Sequence, residues 1–310
     1  VRRIGYRHQR TLTAAAEVRG VGIVAGGTVR LRFRPAPADT GLVFVRTDLP
    51  GRPATPARAE AVTDTNRRTT LGPPGTGVTL VEHVLAALAG LRIDNCVIEL
   101  DAPEPPGLDG SAYGFVEALA TAGTTLQAAR RDVWAATEPV QISQGGATIV
   151  LHPPLPGAGL TLTASYLLDY GPNAPIPRQA VTVSLTPETF GRELAGCRTF
   201  LLEREVEALR SQGIGRHLTP ADVLVFGPKG LIGNKLRYAD EPARHKILDL
   251  VGDLSLCGCD LVGHVVAYRS GHAMNVALAN ALAARARAVP AVADVLVPTR
   301  VPLPARRRAA

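Results

Sequence analysis

Apolar and polar residues alternate along the first third of the chain. In GVGIVAGGTVRLRFRPA (20–36) the run TVRLRF puts apolar side chains at every second position, the period of a half-buried strand, between glycine turns. GLVFVRTDL (41–49) and NCVIELDA (95–102) read as further strands. The segment 50–77 is loop-rich, with room for a short hairpin insertion. The period then changes. TLVEHVLAALAGL (79–91) is apolar nearly all round and predicts a buried helix. SAYGFVEALATAG (111–123) predicts a second helix, closed by Gly123. QAARRDVWAATEP (127–139) reads as a linker. Three strands are predicted over 141–153, 159–170 and 179–185. A short helix capped at Thr186 covers 186–194, a longer helix covers 200–213, and a strand–turn–strand unit covers 221–233.

RHKILDLVGDLSLCG (244–258) lies in a predicted helix over about 241–256. Its apolar residues Ile247, Leu248, Leu250, Val251 and Leu254 cluster on one side. His245, Asp249 and Asp253 follow one another at four-residue spacing along the other. A strand (261–269) and a last helix (272–288) complete the pattern. Helix, strand and helix thus occur in the same order across 79–123 and 241–288, which suggests an internal duplication. The fold class is α+β. Two similar domains are expected, 1–127 with an insertion near 50–77, and 128–310. Each is a sheet packed on helices, with the helices sandwiched between the two sheets and a ligand cleft between the halves.

The 46% hydrophobic content of the 310 residues excludes a disordered chain. Aromatic residues make up only 4%, which weakens any case for single-stranded nucleic-acid binding, where stacking platforms are the rule. The net charge of +7 suits an anionic partner. Part of it comes from the tail ARRRAA (305–310), read as a solvated terminal run. Cys96, Cys197, Cys257 and Cys259 form neither a metal framework nor a disulfide framework, and reduced cytosolic thiols fit them best. No run of about 18 apolar residues occurs, so no transmembrane segment is expected. Peripheral contact with a membrane stays open.

The polar stripe at 245–253 has a bland reading, the solvated face of an amphipathic helix. It has a sharper one: a His and an Asp one turn apart can hold a metal ion with a third ligand from elsewhere. TLVEHV offers that third ligand in His83, beside Glu82. Thr79 and Glu82 also match a capping box, and a lone histidine is more often a core residue. Thr199 in CRTF and His272 in SGHAMN sit at predicted helix starts, where capping or exposure would explain them. Asp109 and Ser111 in LDGSA likewise suit a helix cap.

As a set, these segments resemble the zinc-dependent UDP-3-O-acyl-N-acetylglucosamine deacetylases of lipid A biosynthesis. The matching pieces, in order, are RTL, GVGI, RPAPADTG, RTDLP, TLVEHVLAALAGLRIDN, DAPEPPGLDGSAYGFV, CRTF, DEPARHKILDLVGDLSLCG and SGHAMN, across roughly residues 10–285. The resemblance implies that His83, His245 and Asp249 bind Zn2+, and that Glu82 is the general base for water activated there. It implies His272 as general acid or electrostatic stabiliser, oriented by Asp253, with Thr199 helping to bind the oxyanion. Lys246 and Phe200 would contact substrate. Arg269 would stand near the diphosphate, where a lysine is common. The helix over 200–213 would belong to an insertion in the second domain, near 198–226, that shapes an acyl-chain passage. The implied partner is a UDP-linked acylated glucosamine, in the bacterial cytoplasm, with the protein a monomer.

Two departures lie on the substrate side. The stretch GRHLTPADVLVF (215–226) lacks a Gly-Gly-Ser-Leu-x-Asn run, and Glu205 stands where aspartate is common. His217, within the first, is expected to be exposed. These leave room for a paralogous zinc deacetylase acting on another N-acyl sugar nucleotide. A non-catalytic nucleic-acid binder is the reading from a different class, and it would have no use for the Glu–His–Asp set.

Overall fold

The computed structural model describes residues 1–157 and 159–287. The basic tail 305–310 lies outside the described residues. In chain order the first half contains β1 (Arg2–Leu12), β2 (Ala16–Val21), β3 (Thr28–Pro35), β4 (Leu42–Arg46), β5 (Ala54–Pro56), β6 (Val62–Asp64), β7 (Thr70–Leu71), α1 (Glu82–Gly90), β8 (Cys96–Leu100), α2 (Tyr113–Ala122) and β9 (Thr124–Ala135). The second half contains β10 (Val140–Gln144), β11 (Ala147–His152), β12 (Leu162–Leu168), β13 (Gln179–Ser184), α3 (Pro187–Thr189), β14 (Phe200–Leu202), α4 (Glu203–Ser211), β15 (Leu224–Gly227), β16 (Gly230–Leu231), α5 (Glu241–Ser255), β17 (Asp260–Tyr268) and α6 (His272–Arg287).

Alternation does what the sequence pattern predicts. In β3, Val29, Leu31 and Phe33 are buried while Thr28, Arg30 and Arg32 are exposed. The duplication reaches beyond helix–strand–helix order into sheet topology. The first sheet runs β2-β3-β8-β4-β5, and the path β10-β11-β17-β12-β13 repeats it. In both, the central strand is antiparallel to one neighbour (β3 or β11) and parallel to the other (β4 or β12). The helices lie between the sheets: α2 packs on β2 and α1, α5 on α1, α6 and β12, and α6 on β10 and β11. The fold is α+β, as expected. Among the described residues, no helix is long and apolar enough to cross a membrane.

Three local expectations are corrected. The segment 127–139 is no linker: β9 occupies most of it, pairing with β1 and with the start of β17. The helix predicted from 200 begins at Glu203, because Phe200–Leu202 pairs with β15 and Glu205 Oε2 then accepts from Leu202 N at 2.8 Å to start α4. Thr79 does not cap α1. Its hydroxyl accepts from Arg68 Nε at 2.7 Å, Leu80 is left-handed (φ 57°), and the helix starts at Glu82. Thr186 does cap α3, accepting from Thr189 N at 3.1 Å. The 50–77 segment carries the β6–β7 hairpin.

Two devices hold the halves together. The first is close packing of α1 on α5. A Cβ at Gly252 would overlap the Glu82 carbonyl and approach Ala86 N to 3.2 Å, so only glycine allows the helices this near. The second is a charge cluster at the junction of β1, β9 and β17. Arg7 forks onto Asp94 (2.7 and 2.7 Å) and Asp260 (2.5 and 3.0 Å), and Arg131 Nε reaches Asp260 at 3.2 Å. Burial alone would raise the Asp260 pKa, but Arg7 and Arg131 outweigh it and lower it to about 2.

Gly252→Ala is therefore expected to cost about 1–3 kcal/mol, the usual range for overpacking, as read by denaturant unfolding. Wild-type stability would show that the helices can separate freely. The folded-state pKa of Asp260 is depressed, so its stabilisation is present above the unfolded value near 4 and is lost as pH falls through about 2. That contribution is about 2 kcal/mol. Unfolding curves between pH 4 and 2 should show a shallower loss of stability in Asp260→Asn than in wild type.

Candidate active site

Three elements converge between the sheets. The first turn of α1 supplies Glu82 and His83. The face of α5 supplies His245, Asp249 and Asp253 at successive turns, and α6 begins with His272. All six side chains are buried, so the stripe on α5 is not a solvated face. His272 is likewise buried rather than presented to solvent.

His83, His245 and Asp249 each offer a ligand atom, and these atoms lie within 4.8 Å of one another. Nδ1 of His245 is 3.0 Å from the Cys197 carbonyl, which can only accept, so that nitrogen carries the proton and Nε2 presents its lone pair. Burial lowers the His245 pKa to about 4, which keeps the ring neutral. Nε2 of His245 and Nε2 of His83 stand 3.3 and 3.6 Å from Asp249 Oδ1. The other Asp249 oxygen accepts from Lys246 Nζ at 2.7 Å. Oδ1 itself is buried without a hydrogen-bond partner. Burial works against the charge, but the Lys246 ammonium holds Asp249 well below the usual carboxylate range. A buried carboxylate oxygen facing two imidazole nitrogens is an arrangement that a divalent cation satisfies.

Beside this trio lies an acid–base group. Glu82 Oε2 accepts from Thr69 N at 3.0 Å, and burial raises the Glu82 pKa. Glu82 Oε1 faces His272 Nε2 at 4.0 Å. His272 Nδ1 is 2.9 Å from Asp253 Oδ2, and Nε2 points towards Glu82 and Asp249. Burial would lower the His272 pKa, but Asp253, with Glu82 and Asp249, raises it to about 9. Asp253 is itself held by Thr69 Oγ1 (2.6 Å) and Asn275 Nδ2 (2.9 Å).

The remaining predicted residues fall around this centre. The Phe200 ring stands edge-on to His245, with centroids 6.1 Å apart, and also meets Tyr170 and Phe226. Thr199, half-buried, is fixed by its main chain: its N donates to Gly110 O at 2.8 Å and its O accepts from Leu224 N at 3.0 Å. It precedes a strand, so it is not a helix cap. Arg269 is exposed and left-handed, and pairs with Asp169 at 2.9 Å. Lys246 is tied to Asp249. Burial would lower its pKa, but Asp249 and two tyrosines raise it. Asp109 and Ser111 act as turn-formers: Ser111 Oγ donates to Asp109 at 2.7 Å and accepts from Tyr113 N at 3.2 Å. His217 is exposed, with Nε2 at 2.8 Å from Gly22 O. Glu205 bridges the two insertions through Arg67 at 3.0 Å.

Sequence reasoning missed Thr69, Asn275 and the Arg198–Glu241 pair. Arg198 makes three bonds to Glu241, of 3.1, 2.8 and 3.1 Å, which lock the CRTF loop on the start of α5 and so aim the Cys197 carbonyl at His245. The asparagine three residues beyond His272 was a usable signal, since i and i+3 share a helix face. Nothing local marks Thr69, which reaches Asp253 across the fold.

Residues 9–284 match the family described as UDP-3-O-acyl N-acetylglycosamine deacetylase. A protein of Bdellovibrio bacteriovorus named UDP-3-O-acyl-N-acetylglucosamine deacetylase is 42% identical over 265 residues, covering 85% of this chain and 86% of its own. Like-named proteins of Thermosynechococcus vestitus and Myxococcus xanthus are 43% and 39% identical, covering 89% and 86% of this chain and 94% and 84% of their own. The matched span takes in both repeated sheets and every residue of the buried centre, and the chain belongs to the UDP-3-O-acyl-N-acetylglucosamine deacetylase family.

Proposed function

We propose that this protein hydrolyses the N-acetyl group of UDP-3-O-(3-hydroxyacyl)-N-acetylglucosamine, releasing acetate, at the committed step of lipid A biosynthesis in the bacterial cytoplasm. The observation that carries the reading is the orphaned Asp249 Oδ1, set between the Nε2 atoms of His83 and His245 and next to Glu82. Those three residues would hold Zn2+, which when bound polarises a carbonyl and acidifies water.

The chain's own residues account for the proton movements. Glu82 takes a proton as the water oxygen attacks the acetyl carbon, and its burial-raised pKa makes it a better base than an exposed carboxylate. His272, held protonated by Asp253, stabilises the developing oxyanion and can give its proton to the amine as the C–N bond breaks. Asp253 is a positioning residue, fixed by Thr69 and Asn275. Thr199 is assigned to the oxyanion. Lys246 and Phe200 are assigned to the substrate beside the metal, and Arg269 to the diphosphate. Arginine keeps the charge of a lysine there and adds a fork.

Acetate release from the UDP-linked substrate by metal-loaded protein is expected, with His245→Ala losing both activity and stoichiometric zinc. Full zinc binding without acetate release would move the substrate elsewhere, to another N-acyl sugar. The rate constant kcat/KM should rise with pH as Glu82 deprotonates and fall above neutrality as His272 loses its proton. Asp253→Asn removes the largest upward push on His272, so the alkaline limb should move to lower pH. The rate should fall about 10²–10⁴-fold, the usual worth of general acid–base catalysis. An unmoved limb would remove His272 from that role.

A further inference from the structure

Cys257 and Cys259 occupy the short turn between α5 and β17. On an extended strand, side chains two residues apart share a face but stand about 6.6 Å from each other, twice the strand rise. Here Gly258 is left-handed (φ 81°), and its N donates to Ser255 O at 3.2 Å. The turn so folded brings the two sulfurs to 3.6 Å. The Cys257 thiol also donates to the Cys259 carbonyl at 3.4 Å, which holds it over its neighbour. Spacing alone offered no disulfide framework, and the turn supplies a proximity that spacing did not.

The other two thiols differ in the properties that govern reactivity. Cys96 and Cys197 are fully buried and far apart in sequence, and each donates to a nearby carbonyl, of Val97 and of Glu193. Burial pushes the Cys96 thiol up to about 12 and raises Cys197 as well. Cys257 and Cys259 are only half-buried, and Gly258 between them is exposed. Both line a cavity of about 590 Å3, which gives a molecule of a few atoms a route to them. Arg131 lines the same cavity. The hydrogen bond from Cys259 and the Arg131 guanidinium lower the Cys257 pKa, against burial and the Asp260 charge. An accessible thiol with a lowered pKa beside a second thiol is the arrangement that oxidant-sensitive cysteines share.

We propose that Cys257 and Cys259 form a reversible dithiol–disulfide site oxidised by hydrogen peroxide, with Cys257 the attacking sulfur and Cys259 the resolving one. The Cys257 thiolate attacks one peroxide oxygen. The S–O bond forms as the O–O bond breaks, and the departing hydroxide leaves as water with the proton that Cys257 gave up. The Cys259 sulfur then attacks the Cys257 sulfenic acid. The S–S bond forms as the S–O bond breaks, and the hydroxyl leaves as water with the Cys259 proton. Two thiols lose two electrons and two protons, and one peroxide becomes two waters. A disulfide closed across a single residue departs from relaxed geometry, so an added thiol reopens it readily. None of His83, His245 and Asp249 is a thiol, so the site is chemically separate from the metal ligands.

The test treats zinc-loaded protein with a small excess of hydrogen peroxide and reads intact mass, thiol titration after denaturation, and peptide mapping. Wild type should lose two of its four thiols and the mass of two hydrogens, both restored by dithiothreitol, with the change mapped to the peptide holding residues 257 and 259. Cys259→Ser should instead gain one oxygen at Cys257, trapped by dimedone. Cys257→Ser should react at least about tenfold more slowly than wild type, because its remaining thiols lack the lowered pKa. The wild-type mapping stands without either variant, should one fail to fold. Retention of all four thiols, oxidation first at Cys96 or Cys197, a bond between two chains, or oxygen added at Cys257 with the Cys259 thiol intact would each overturn the proposal. Equal rates for Cys257→Ser and wild type would overturn the assignment of Cys257 as the attacking sulfur.

Discussion

The active centre depends on how closely α1 approaches α5. Gly252 lets the Glu82 carbonyl lie where a side chain would otherwise be, and this brings Glu82 and His83 against His245 and Asp249. Ligands from segments more than 160 positions apart can share one ion only if the two backbones are set with that precision. A helix that is apolar nearly all round, like α1, has no solvent face to satisfy, so it can be buried whole between the sheets with its first turn at the centre.

Burying so many ionisable groups is tolerable because nearly every polar atom has a partner. Asp253 is bound by Thr69, Asn275 and His272, Glu82 by Thr69 N, and one Asp249 oxygen by Lys246. The unsatisfied Asp249 oxygen stands out against this background: its neighbours are Nε2 of His245, whose lone pair cannot satisfy it, and Nε2 of His83 at 3.6 Å. The same environment separates the acid from the base. Burial dominates at Glu82 and raises its pKa, whereas paired carboxylates dominate at His272 and keep its proton on.

The repeated sheet order explains why the molecule has two contrasting poles. Two equivalent β-layers enclose one set of helices, so both ends of the α1–α5 pair lie between halves. One end gathers the His–Asp–Glu centre and the insertions that Arg67 and Glu205 join. The other gathers Arg7, Asp94 and Asp260, where β1 and β9 extend the second sheet.

Much of this was legible in the sequence. Period-two runs marked the strands, the all-apolar run marked α1, and His245, Asp249 and Asp253 at four-residue spacing had to share a face of α5. The motif set carried the family, and with it the ligand candidates. What sequence could not decide were contacts made across the fold. Whether the α5 stripe met water or a buried centre depended on what packed over it, and no local pattern encodes that. T-x-x-E at Thr79 satisfied the capping rule, yet the helix begins only at Glu82, and Glu82 accepts from Thr69 N beside β7 instead. Strand β9 read as a linker because its partners, β1 and β17, lie more than a hundred positions away on either side. Periodicity and residue chemistry are properties of a segment and are fixed by the chain alone. Burial, pKa and the lone unsatisfied oxygen of Asp249 are properties of surroundings, and only the packing of distant segments created them.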